Sequence, residues 1–346
     1  MQSHIVTSEA VAQEQTREFV NKVWLTLLGR APDPDMLAHL VQRLTEGHSP
    51  IEFFLDVEGC EEAMARRNRV REFVPPGHFY SPIVDPEALR QSSFDQRRKN
   101  DELLGVEIDF PAMGGLLRQI VDKTKDLDFP DKQTEGYRFY SDNDMFGLGD
   151  AIILSGMIRL LRPARIIEVG SGFSSAVTLD TLDRTPEIAA SLTFIEPYPE
   201  RLKRLLRQKD IGQVEIIEKG VQEVPVEVFE QLASGDILFL DTTHISKTDS
   251  DVNYEMFQIL PRLKPGVIVH FHDVFDCFEY PDRWIYDDNR SWNELYILRS
   301  FLMYNSTYEI IYFNDALARR EPALVRQWCP QLLRNPGGGL WLRRKI

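Results

Sequence analysis

The chain has 346 residues, 43% hydrophobic and 10% aromatic, enough to bury a sizeable core in about two domains. Its 54 acidic and 40 basic residues leave a formal charge of −14, which repels phosphate backbones and argues against a nucleic-acid partner. No apolar run approaches the roughly 20 residues needed to span a bilayer, and Met1-Gln2-Ser3-His4-Ile5 lacks secretory character, so no membrane span and a cytoplasmic location are expected. Cys60, Cys277 and Cys329 are scattered without a C-x-x-C pair, which implies reduced thiols and neither a disulfide framework nor a zinc knuckle.

Apolar residues recur at helical spacing from about Thr16 to Ala63, with Phe19, Val20, Val23, Trp24, Leu27 and Leu28 in one stripe and Leu37, Leu40, Val41 and Leu44 in another. Asp33-Pro34 supplies a cap and first-turn proline, Gly47 a stop, and Ser49-Pro50-Ile51-Glu52 a capping box. Two or three short helices are expected in a small all-α domain over residues 1–66. Residues 67–132 mix charge with prolines at 75, 76, 82, 86, 111 and 130 and read as a linker and helical cap, with a helix near Gly115–Lys125. From 133 to 346 the elements alternate. A helix around Gly149–Leu161 leads to strand Arg165–Val169, helix Ser174–Leu182, strand Leu192–Ile195, helix Pro199–Gln208 and strand Val214–Ile217. Strand Ile237–Leu240, helix Val252–Leu263, strand Val267–Phe271 and the tail strands Tyr308–Phe313 and Leu340–Arg343 follow. Short connectors and apolar β-branched strands predict an α/β fold, a Rossmann-like, doubly wound seven-stranded sheet with right-handed crossovers. The basic run Arg201, Lys203, Arg204 and Arg207 has the spacing of one solvated helix face.

The run from Ile166 to Ser175 reads as a buried strand that ends in an acid-tipped glycine turn. Gly170 and Gly172 let the backbone bend and a ligand approach, while the next helix offers free N–H donors. Ser175 stands where G-x-G-x-x-G needs its third glycine, which disfavours a dinucleotide. Glu168 before the turn and Glu196 after the next strand suit a ligand with an ammonium group and a ribose diol, as S-adenosylmethionine has.

The segments E-V-G-S-G-F-S-S at 168–175, I-E-P at 195–197 and D-I-L-F-L-D at 236–241 occur in an order that resembles class I S-adenosylmethionine-dependent methyltransferases. The resemblance spans roughly residue 75 to the end. Gly77-His78-Phe79-Tyr80-Ser81-Pro82 and His272-Asp273-Val274-Phe275 resemble a bacterial branch with H-D-x-F after the fifth strand. It implies a reversed last strand. Residues 19–33, F-V-x-x-V-W-x-x-L-L-G-R-A-P-D, resemble the small helical domain DUF4214, expected to serve docking or oligomerisation with a second copy or a protein partner.

Ligands of open α/β sheets bind outside the carboxyl ends of the strands, where Glu168, Glu196, Asp241 and His272-Asp273 all fall. The expected cofactor residues are Glu168, Gly170, Ser171, Gly172, Ser174, Glu196 and Asp241. Glu168 would order the turn near the methionine ammonium, Glu196 would take the ribose hydroxyls, and adenine would lie around Glu218-Lys219-Gly220-Val221. Asp241, His272 and Asp273 offer ligands for one divalent cation such as Mg2+. The resemblance implies metal ligands at these strand ends, often as acids and an amide, and His272 departs from that pattern. A metal-free route stays open beside it, with His272 or His244 as general base, so the catalytic candidates are His272, His244 and Asp241. His270, inside a strand, reads as a core residue. Tyr280, Trp284 and Trp292, in the aromatic stretch after the fifth strand, read as a substrate wall suited to a sugar or phenolic acceptor.

The expected function is S-adenosylmethionine-dependent methylation of an oxygen on a small molecule or glycan precursor. Two other classes share the features. A non-methylating, metal-dependent hydroxylase-like enzyme would show iron- and oxygen-dependent turnover, and a noncatalytic subunit would bind the cofactor without forming product.

Overall fold

Side-chain caps followed by prolines set two of the helix starts of the first unit, Met1–Ile83, in the computed structural model, which describes residues 8–69 and 73–346. Met1–Ile5, read above for secretory character, lies outside the described residues. The unit holds α1 (Ser8–Leu28), α2 (Pro34–Thr45), α3 (Pro50–Gly59) and α4 (Glu61–Arg69). Asp33 accepts the Met36 N–H at 2.9 Å and Ser49 the Glu52 N–H at 3.4 Å, each ahead of a first-turn proline. Val20, Val23, Leu28, Leu40, Val41, Phe53 and Val57 form the core, with Trp24, Leu27, Leu37 and Leu44 packed against it. Phe19 lies at the margin, its ring 6.0 Å from that of Phe53. The fourth helix arises at Cys60, whose extended backbone ends α3 and whose sulfur accepts the Ala63 N–H to start α4.

The second unit spans Val84–Ile346, so residues 67–132 divide between the two units. It opens with α5 (Pro86–Arg90), α6 (Phe94–Lys99) and α7 (Phe110–Thr124). Asp109 caps α7 by accepting the Ala112 N–H, so Pro111 falls in the tolerant first turn and the helix starts ahead of the expected Gly115. Then come α8 (Leu148–Leu161), β1 (Arg165–Val169), α9 (Phe173–Asp183), β2 (Ser191–Ile195), α10 (Glu200–Leu205), β3 (Val214–Ile217) and β4 (Ile237–Leu240). After these run α11 (Asp251–Tyr254), β5 (Ile268–Phe271), α12 (Glu294–Leu302), β6 (Tyr308–Phe313), α13 (Asn314–Arg320), α14 (Pro322–Trp328) and β7 (Leu340–Arg344). The seven strands form one sheet in the order β3-β2-β1-β4-β5-β7-β6, with β7 antiparallel to both neighbours.

Two helices depart from expectation for local reasons. The span Val252–Leu263 is not one α-helix: α11 passes into a π turn at Glu255–Ile259 and a 3-10 turn at Leu260–Arg262, where Pro261 lacks an N–H to continue the ladder. The helix expected to reach Gln208 ends at Leu205, since Asp210 draws the Arg207 N–H to itself at 2.6 Å.

Strand order reverses between β1 and β4, which opens a crevice at their carboxyl ends. Their tight approach there depends on Gly170. Its φ is +83°, and a Cβ would stand 1.6 Å from the Asp241 carbonyl oxygen. A buried ion network steadies the next helix: Arg138 reaches Asp180 and Asp183 at 2.8 Å and Asp210 at 2.5 Å, while Asp180 also accepts the N–H groups of Arg138 and Phe139. The segment ahead of α8 is thereby fastened to α9, the helix that leaves the glycine turn. Among the described residues no helix is long and apolar enough to cross a membrane.

Candidate functional site

At the crevice two cavities meet, one of about 690 Å³ and one of about 650 Å³, sharing Gly170, Glu196, Asp241, Thr242 and Thr243. The first also takes in Ser171, Gly172, Ser174, His244, His272, Asp273, Trp284 and Trp292; the second runs along Tyr198 and Gly220 to Glu223. Most of the residues expected from sequence therefore converge.

Glu168 and Tyr280 do not. Glu168 lines neither cavity and is buried beneath the turn, accepting the Ser174 and Ser175 hydroxyls at 2.5 and 2.9 Å. Burial pushes its carboxyl up to about 8 despite those bonds. It orders the glycine turn from below, and the expected contact with an ammonium group is corrected. Tyr280 is buried behind the wall, its ring 5.6 Å edge-on to Trp292, and belongs to the core. Glu196 stands at the junction of the cavities, fixed by the N–H groups of Ser171 at 3.1 Å and Tyr198 at 2.8 Å.

The acidic end of the site is crowded. His244 Nε2 lies 3.5 Å from Asp241 and 3.4 Å from Asp273, and its Nδ1 is 2.7 Å from Glu294 on α12. His272 Nδ1 lies 3.5 Å from Asp241 and 3.3 Å from Asp273, with Nε2 3.6 Å from Asp150 on α8. The His272 ring stacks on Phe146. His244 and Asp273 both hold left-handed backbone, φ 59° and 58°, of a kind that persists where the surroundings impose it and that clusters at functional sites.

Electrostatics follow from this crowding. Burial favours neutral rings, yet the facing carboxylates outweigh it, pushing His244 up to about 10 through Asp241 and Glu294 and holding His272 well above its usual range through Asp241 and Asp273. Burial raises the Asp273 carboxyl, whereas at Asp241 the two imidazoles overcome burial and hold the group ionised. The cluster thus demands positive charge. An imidazole lone pair aimed at two carboxylates is repelled unless a proton or a metal cation lies between them. Asp241, His244 and Asp273 have ligand atoms within 4.8 Å of one another, and the Glu294 carboxylate fixes the His244 ring as outer partners of metal ligands do. His244 thus takes the place expected for His272 in that trio. His272, whose ring nitrogens face Asp150, Asp241 and Asp273, stands beside this trio.

His270 lies in the core as read, stacked 4.1 Å on Phe239 with burial holding its ring neutral, but it is not the satisfied histidine expected there, since neither ring nitrogen has a hydrogen-bond partner among the described residues. Sequence reasoning missed Asp150, Glu294 and Arg201. The first is the polar exception at the start of an apolar helix, which is a visible signal. Arg201, assigned to a solvated face, instead lines the larger cavity beside Gly172 and has no partner among the described residues, whereas Lys203 pairs with Glu218 and Arg207 approaches Asp183.

Residues 167–274 match a family model described as a methyltransferase domain. An uncharacterized protein of Archaeoglobus fulgidus is 31% identical over 169 residues, covering 47% of this chain and 75% of the relative. Solved structures with a similar arrangement include the SAH-bound Podospora anserina methyltransferase PaMTH1, at 16% identity and TM-score 0.36, over 80% of this chain and all of that one. Another is the O-methyltransferase TomG from Streptomyces achromogenes, in complex with SAM, at 15% identity and TM-score 0.38, over 75% of this chain and 99% of that one. The chain belongs to the family of the archaeal relative, and residues 167–274 within its seven-stranded unit carry the match to the methyltransferase-domain model.

Proposed function

We propose that the protein transfers the methyl group of S-adenosylmethionine to an oxygen of a small molecule or glycan precursor. One observation carries this reading: the glycine turn, the Glu196 carboxylate and the acid–imidazole cluster open onto two cavities that meet at Gly170 and Asp241. The smaller cavity would take adenosine between Tyr198 and the Gly220–Glu223 segment, with Glu196 accepting from the ribose hydroxyls. Gly172 leaves room for the amino-acid end, and Arg201 beside it would meet the carboxylate. Trp284 and Trp292 would form the acceptor wall in the larger cavity.

The donor set of two carboxylates and an imidazole suits a divalent cation, with Asp241, His244 and Asp273 as its holders. Bound there, such an ion lowers the pKa of an acceptor hydroxyl and orients it. Glu294 would hold the His244 ring in the tautomer whose Nε2 faces the cavity, and Asp150 would hold His272 on the opposite side. Transfer from a sulfonium needs alignment more than proton chemistry, so rigid placement of the acceptor by these walls is the main contribution of the chain.

The test is incubation with methyl-labelled S-adenosylmethionine and a panel of sugar and phenolic hydroxyl compounds, with Mg2+ and with chelator. Label transferred to an acceptor oxygen supports the reading. Cofactor binding without product across the panel points to the noncatalytic alternative.

A further inference from the structure

The acidic floor of the larger cavity is faced by a basic wall. In a chain of net charge −14, three arginines line this one cavity: Arg201 beside the glycine turn, and Arg283 and Arg290 beside the tryptophans. Arg290 is set firmly. Its guanidinium lies 4.5 Å from the Trp284 ring centroid and 4.8 Å from that of Trp292, and the Arg290 backbone N–H donates to the Trp284 carbonyl at 2.8 Å. The two indoles stand 5.4 Å apart at 71°, which gives the cation two aromatic faces to lean on. Asp288 is the acid nearest to both arginines, at 3.1 Å from Arg290 and 3.8 Å from Arg283. One carboxylate therefore serves two guanidiniums, and Arg290 keeps donors free toward the cavity while Arg283 stands exposed at its edge. A neutral acceptor could stack on the tryptophans without help from cations, and a cationic one would be repelled.

We infer that the acceptor carries an anionic group, a carboxylate or a phosphate, beside the hydroxyl that is methylated, and that Arg290 with Arg283 binds it. This rests on the methyltransferase reading and names its substrate class. Arginine suits the task because its planar fork meets either oxyanion with two parallel hydrogen bonds, and a guanidinium already ordered by aromatic faces loses little freedom on binding. The anion at this wall would also hold the hydroxyl end of the molecule toward Asp241 and Asp273, away from the arginines.

The experiment is calorimetric titration of the full chain saturated with S-adenosylhomocysteine, using glucuronate and glucose 1-phosphate against glucose, and 3,4-dihydroxybenzoate against catechol. At least one acid is expected to bind tenfold or more tighter than its neutral counterpart, and the glucuronate and glucose 1-phosphate arms separate carboxylate from phosphate. Arg290→Gln, and the double variant with Arg283→Gln, should abolish that preference while S-adenosylhomocysteine affinity stays within twofold. Equal binding of acid and neutral members, binding of no probe, or a preference that survives both variants overturns the inference. Absence of S-adenosylhomocysteine binding is read separately, and would instead remove the methyltransferase reading.

Discussion

Replacing Gly170 and Gly172 by alanine, one at a time, separates the two jobs of the glycine turn. At Gly170 the backbone has φ +83°, where an L side chain costs about 1–2 kcal/mol. Its new Cβ would also stand 1.6 Å from the Asp241 carbonyl oxygen, a contact that only separation of the β1 and β4 ends can relieve. That movement strains the Asp241 N–H to Val169 and Gly170 N–H to Ile195 bonds, now 2.9 and 3.0 Å, each contributing about 1 kcal/mol. Gly170→Ala should therefore lose about 3–4 kcal/mol, which at roughly 2–4 °C per kcal/mol is about 10 °C in Tm. At Gly172 the nearest atom to a Cβ is the flexible Arg201 Cδ at 3.3 Å, and the methyl group would project toward the cavity mouth. Gly172→Ala should melt far closer to the parent protein yet bind S-adenosylhomocysteine at least tenfold more weakly. Thermal melting and calorimetry on both variants decide it. A Gly170→Ala protein that melts within about 2 °C of the parent and binds normally would refute the reasoning.

What could be read in advance has a physical pattern. Strands β1 and β4 fall at the expected residues, because apolar runs between turn signals mark strands buried on both faces. The glycine turn and the acids at the strand ends were legible for the same reason: they are sequential neighbours of those strands. Glu294 and Asp150 were not, since they reach His244 and His272 from helices distant in the chain, and only the folded sheet brings them together. Tyr280 was misplaced because an aromatic stretch shows composition without showing which rings turn inward. Arg201 was misread because charge spacing on α10 cannot reveal that its first turn borders a cavity.

Other consequences can be checked directly. Arg138→Met leaves Asp180 and Asp210 buried without their cation, and should cost about 3–5 kcal/mol in chemical denaturation. A loss under 1 kcal/mol would show the network to be dispensable. Glu168 binds its proton more tightly folded, at about 8, than at its ordinary 4.5. Its contribution to stability is complete below about pH 4.5 and declines by up to about 1.4 kcal/mol per unit as pH rises toward 8. Urea denaturation from pH 5 to 8 should show a shallower decline in Glu168→Gln than in the parent, and parallel curves would contradict the assignment. Glu294→Gln removes the carboxylate that orients His244 and should weaken Mn2+ binding, followed by electron paramagnetic resonance, about 10–100-fold. Unchanged affinity would detach Glu294 from any metal role.

The central claim is that the crevice beside the glycine turn binds S-adenosylmethionine, with a divalent cation held by Asp241, His244 and Asp273. Calorimetric titration of the full chain with S-adenosylhomocysteine, once with Mg2+ and once with chelator, addresses both parts. Binding under both conditions, together with separate Mg2+ heat that Asp273→Asn removes, is the predicted result. No binding under either condition would contradict the account and return the glycine turn to a structural role.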